Sequence, residues 1–158
     1  MHTITGRVGG DLDGHSLDAT LEGERLEGRM GGRLAGAGLT LERAGGQVSG
    51  RLGGDTIGAD VVGTLEPERV AVRIGGRTNG KDLTLERTGS VWTGRIGGEF
   101  EGADLHLTLE GGRLEGRVGG RFIGKDVWMG GDAPGEWLAL CAALTFHQLS
   151  QDDNSSSA

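Results

Sequence analysis

Apolar and polar residues alternate along most of this chain, and the alternation restarts at a fixed interval. Laid out in rows of 22, the sequence aligns Gly6, Gly28, Gly50, Val72, Gly94 and Gly116, each followed by an arginine: Arg7, Arg29, Arg51, Arg73, Arg95 and Arg117. The next column is apolar (Val8, Met30, Leu52, Ile74, Ile96, Val118), a Gly-Gly pair follows in every row, and a further glycine column stands at Gly14, Gly36, Gly58, Gly80, Gly102 and Gly124. Repetition at this period marks one supersecondary unit packed on copies of itself. Alternation with period 2 inside each unit predicts strands with one buried and one solvated face.

The turns predict how the strands pair. Asn79-Gly80 and Asp13-Gly14 are dipeptides of two-residue hairpin loops. With Asn79-Gly80 as the loop, Gly76 faces Leu83 and Ile74 faces Leu85; the same register in the last unit sets Phe122 opposite Lys125, Gly120 opposite Val127 and Val118 opposite Met129. Between units, loops at Gly23-Glu24 and Gly111-Gly112 set Leu21 against Leu26 and Leu109 against Leu114, and in the alternate units Leu41 meets Val48 and Leu85 meets Trp92. Six units of two strands make twelve antiparallel strands. A sheet that long rarely stays open, so a closed barrel is expected, with a β-solenoid or open β-roll as the alternative.

Alternation stops at Trp137–Leu149, WLALCAALTFHQL, which is apolar on every side of a 3.6-residue helix and must be surrounded. The fold expected is therefore all-β with one C-terminal helix: six 22-residue hairpin repeats closed around a buried hydrophobic helix. Asp132 is placed as the N-cap and Pro134 in the first turn, giving a central helix over 133–149 in a single domain spanning 1–150, followed by a disordered tail over 151–158. The run is too short for a bilayer core, which needs roughly 20 apolar residues.

Composition sharpens this picture. Among 158 residues there are 34 glycines and only six aromatics (three Trp, three Phe), so the core is built from aliphatic side chains and closely approaching backbones. A net charge of −7 opposes nucleic acid and anionic membranes as nonspecific partners. The single cysteine, Cys141, excludes an intrachain disulfide and suits a reducing compartment. No leader is read at the start, and a cytoplasmic monomer is expected.

The closing strand Lys125–Met129, the Asp132–Pro134 approach to the helix and the apolar run Trp137–Phe146 together resemble the tubby-like fold of tubby C-terminal domains, LURP-one-related proteins and phospholipid scramblases. The regular glycine-rich repeat is also similar to short glycine-rich bacterial proteins of unknown function. The tubby-like resemblance implies a lipid-linked role, through phosphoinositides or at membranes, and carries over no binding residue.

Candidate chemistry is sparse. Gly75-x4-Gly80-Lys81 and Gly119-x4-Gly124-Lys125 look like phosphate loops, but Asp82 and Asp126 replace the hydroxyl and each segment joins strand to strand. Asp55 with Asp60 and Glu99 with Asp104 could oppose each other around a cation, yet Arg77 and Arg121 stand ready to neutralise them. His2, His15, His106 and His147 lack ligand spacing, so no metal or cofactor is expected. Serines Ser16, Ser49 and Ser90 have no activating partner, and no catalytic residue is assigned. Asp11, Arg33, Asp55, Arg77, Glu99 and Arg121 alternate in sign and read as a ring of cross-strand pairs. In the arginine column, Glu42 and Glu86 are the expected neighbours of Arg29 and Arg73. Arg51, Arg95 and Arg117, without a facing acid in this register, are the candidate anion contacts. The expected function is that of a non-catalytic binding or scaffold protein; the alternative is a peripheral anionic-lipid module, held weakly by those arginines and without membrane insertion.

Overall fold

The computed structural model describes residues 1–10, 13–32, 36–53, 58–75, 80–97, 102–119 and 124–156, the last four by backbone alone. Twelve strands alternate in direction: β1 (His2–Val8), β2 (His15–Glu22), β3 (Arg25–Gly31), β4 (Gly36–Ala44), β5 (Gln47–Gly53), β6 (Gly58–Glu66), β7 (Arg69–Ile74), β8 (Lys81–Thr88), β9 (Val91–Gly97), β10 (Gly102–Glu110), β11 (Arg113–Gly119) and β12 (Gly124–Gly131). Each pairs with its sequence neighbours, and β1 closes on β12 from Ile4 opposite Gly131 to Val8 opposite Val127. The barrel is closed and antiparallel, and its single helix α1 (Gly135–Ser156) runs through it. Closure leaves no strand edge to pair with another chain.

The alternation sorts side chains as the sequence predicts. Leu17, Leu21, Leu26, Leu41, Leu65, Leu85, Leu107 and Leu114 point inward and are buried, and every residue from Trp137 to Leu144 is at most 1 % exposed. The helix fills the barrel.

Pairing at the wider hairpins differs from the expected register. Ile74 faces Lys81 rather than Leu85, and Val118 faces Lys125 rather than Met129, so the described ladder ends at Ile74 in β7–β8 and at the first glycine of the Gly-Gly pair, Gly119, in β11–β12. Gly75, the residue after the last paired position of β7, has φ 107°, a conformation that favours glycine. The feature of glycine opposite an apolar residue survives with a different glycine column, because Gly28 faces Leu39, Gly50 faces Leu41, Gly94 faces Leu85 and Gly116 faces Leu107.

At the opposite end the turns are tight. Leu21 does face Leu26 and Leu109 does face Leu114. In the alternate units Leu41 faces Gly50 and Leu85 faces Gly94, while Val48 and Trp92 face Arg43 and Arg87. Arg43, two residues after Leu41, shares its inner face. Arg43 lies there because its guanidinium finds the helix: Nη1 donates to Glu136 Oε2 at 3.0 Å and to the Leu65 carbonyl at 3.1 Å, the group lies 5.2 Å over the Trp137 ring, and Nε pairs with Glu24.

The helix bounds also differ. Asp132 does not cap it; Oδ1 accepts the Thr3 backbone N–H at 3.1 Å and Oδ2 lies 3.4 Å from His2 Nδ1, which ties the connection to the barrel seam. That backbone donor holds the Asp132 carboxyl below the usual carboxylate range. The first turn instead forms on Pro134, whose carbonyl accepts from Trp137 and Leu138 N–H. The helix runs to Ser156, seven residues past the expected end at Leu149, so the start of the expected disordered tail is helical. It continues because Gln148 Nε2 bonds Asp152 Oδ1 one turn on, at 3.0 Å, and Asp152 bonds the barrel. No helix of the described residues is long and apolar enough to cross a membrane.

Candidate binding site at the wide-hairpin end

The helix enters at the tight-turn end, beside Arg43, and leaves at the wide-hairpin end. There the first inward residues of the even-numbered strands form a ring, one per repeat: His15, Ala37, Ala59, Lys81, Ala103 and Lys125. His15 is 6 % exposed and its Nε2 lies 2.6 Å from Asp152 Oδ2. With Gln148 on the other carboxylate oxygen, His15, Asp152 and Gln148 form a chain from barrel wall to helix.

Beside that chain lies a cavity of about 460 Å³. Its wall is Gly36, Ala37, Leu52, Gly53, Gly58 and Ala59, and its helix side is His147, Gln148, Gln151 and Asp152. The space exists because two successive ring positions are alanine. His147 is 7 % exposed, and its Nδ1 is buried without a hydrogen-bond partner, as is Nδ1 of His15. Burial, and secondarily the charge of Lys81, push the His147 imidazole down to about 4 from 6.5, so it is neutral at physiological pH.

This has a consequence for stability. The unfolded chain protonates His147 near 6.5 while the native state resists until about 4, so the native state binds fewer protons within that window. Stability from this residue is complete above 6.5 and is lost as the pH falls through about 4. The loss is expected to be about 3 kcal/mol. Urea unfolding of wild type and His147→Gln on both sides of the window checks it: the wild-type free energy should fall more steeply with acid, and parallel pH profiles would exclude the effect.

The residues favoured by sequence sit elsewhere. Arg51, Arg95 and Arg117 lie on the outer wall, and the observed register supplies each with the acid expected to be missing: Arg51 Nη1 reaches Asp60 at 2.8 Å, Arg95 reaches Asp104 at 2.6 Å and Arg117 reaches Asp126 at 2.9 Å. Arg73 pairs with Asp82 at 2.8 Å rather than with Glu86, which Arg69 holds, and Glu42 pairs with Arg25. Arg7 donates to Ser16 Oγ at 2.6 Å. The alternating ring of Asp11, Arg33, Asp55, Arg77, Glu99 and Arg121, and with it the acid pairs of Asp55 and Glu99, lies outside the described residues.

Cys141 is fully buried at mid-helix, and desolvation pushes its thiol up to about 12, so it is packing rather than a nucleophile. Of the histidines, His2 sits at the seam by Asp132 and His106 faces outward, whereas His15 and His147 both lie at the wide-hairpin end, His15 bonded to Asp152 and His147 lining the cavity beside it. Sequence spacing could not join residues 132 positions apart. The repeat held a signal for the site nonetheless, in the ring column with its adjacent alanines and in the Gln148, Asp152 spacing on the helix. No protein-family model, no curated protein and no solved structure matches this chain.

Proposed function

We propose that the chain is a non-catalytic binding or scaffold protein, with the barrel as a rigid support and its wide-hairpin end as the contact region. The filling of the barrel by its own helix carries this reading: Trp137 through Leu144 occupy the space in which a barrel of this size would otherwise enclose a ligand. Catalysis calls for convergent groups held ready to exchange protons or bonds. At the cavity His147 is neutral and buried, and both Asp152 oxygens are already bonded.

Contact with anionic lipid, the partner class implied by the tubby-like resemblance, has less support. The arginines that would meet headgroups are paired with aspartates on neighbouring strands, and these pairs would have to be exchanged.

Incubating the purified chain with a metabolite extract, followed by ultrafiltration and mass spectrometry, tests the proposal. Metabolites retained with the protein and unchanged over time are the expected result. A time-dependent conversion that scales with protein concentration would overturn it.

A further inference from the structure

The cavity at the wide-hairpin end combines three features that together describe a ligand. Leu52 apart, its wall carries few side-chain atoms, since Gly36, Gly53 and Gly58 have none and Ala37 and Ala59 add only methyl groups. Its helix side is amide-rich, with Gln148 and Gln151 one turn of helix apart in an arrangement that presents both donors and acceptors. At about 460 Å³ it falls in the small-molecule range of roughly 300–1,000 Å³.

Charge restricts the ligand further. A cation would have to compete with His15 at Asp152 Oδ2 and with Gln148 at Oδ1, and it meets the charge of Lys81 near His147. An anion meets the Asp152 carboxylate itself. Ala103, the third alanine of the ring, stands between the two lysine strands and does not border the cavity.

We propose that this cavity binds a compact, uncharged, hydroxyl-rich molecule of monosaccharide or cyclitol size, held by the amides of Gln148 and Gln151. The proposal rests on the reading of the chain as a non-catalytic binder and names the ligand class. His15 and Asp152 are positioning residues in it: they fix the helix against the wall and thereby place both glutamines.

Saturation-transfer NMR on the full chain tests it, with glucose and myo-inositol as neutral probes and acetate and ethylammonium as charged ones, each at about 20 mM, sufficient for weak millimolar binding. Transfer to a neutral probe and none to the charged ones is expected. Ala59→Trp, which places bulk in the cavity, should weaken binding at least about tenfold by steric exclusion, and Gln151→Ala about fivefold through one lost hydrogen bond. Both should keep the wild-type circular dichroism. Should Ala59→Trp fail to fold, Gln151→Ala decides, because Gln151 is exposed. No transfer to either polyol, a preference for a charged probe, or binding undiminished in the folded variants would overturn the site. The two readings fail separately: new resonances from a converted polyol would refute the non-catalytic reading and leave the site, whereas metabolites retained from the extract without polyol binding would refute the site and leave the binder.

Discussion

A chain ending at Gly131 is expected to lose cooperative unfolding and to become insoluble. Removing α1 exposes two surfaces that now cover each other: the helix residues Trp137, Leu138, Leu140 and Leu144, and the barrel lining that includes Ile4, Leu41, Leu65, Leu85 and Leu107, all at most 1 % exposed. Each such side chain contributes about 1.5–3 kcal/mol by burial, and a domain of this size is stable by only about 5–15 kcal/mol in total. Loss of a few of these contacts is enough to unfold it. The lining would also form a continuous apolar surface, which drives association between copies. Leu140→Asp is the point version of the same test, since it puts a carboxylate at a site of 0 % exposure with no cation beside it on the helix; more than about 4 kcal/mol of destabilisation is expected. Sedimentation and thermal melting read both. A soluble truncated chain with one sharp melting transition would mean that the barrel closes without its helix.

The second large effect is expected at Gly94. A Cβ there would run into the Thr84 carbonyl oxygen and lie 2.8 Å from Leu85 Cα, both backbone groups of the neighbouring strand, which cannot rotate away as a side chain can. Gly50 and Gly116 meet Leu41 and Leu107 in the same way, so the strands approach closely all round the barrel because these positions carry no side chain. Gly94→Val is expected to cost on the order of 4 kcal/mol, above the usual range for overpacking because backbone must move. Thr93→Ala, on the exposed face of the same strand, should change stability by less than about 0.5 kcal/mol. Denaturant midpoints for the pair measure the difference, and comparable losses in both would show that the close approach is not what Gly94 provides.

Architecture was legible in the sequence because each of its determinants is local and repeated. Alternation decides which residues face inward, a period of 22 decides that the hairpins are alike, and their number makes closure the way to bury the last strand edge. The helix was legible for the converse reason: a run apolar on all sides has to be enclosed, and six hairpins are what the chain offers to enclose it. Its continuation to Ser156 was not, because QDDNSS has little helix-forming character of its own and is held by Asp152 meeting His15 across the barrel mouth.

Register belonged to the tertiary structure. Asn79-Gly80 and Gly75 both carry turn chemistry, and propensity alone could not choose between a two-residue loop and a wider one; inward packing against the helix chose, placing Gly28, Gly50, Gly94 and Gly116 opposite the leucines. That choice then moved Asp60, Asp104 and Asp126 next to Arg51, Arg95 and Arg117, so the outer arginines became ion pairs instead of anion contacts. The cavity is the most tertiary feature of all. Ala37 and Ala59 define it from the wall and His147, Gln148, Gln151 and Asp152 from the helix, two sets of residues that the chain brings together only when the last element threads the first twelve. The sequence by itself determined which faces are buried and that a helix fills the barrel, since burial follows from periodicity; the polar chemistry at the mouth was decided by how far the helix reaches and which ring positions it meets.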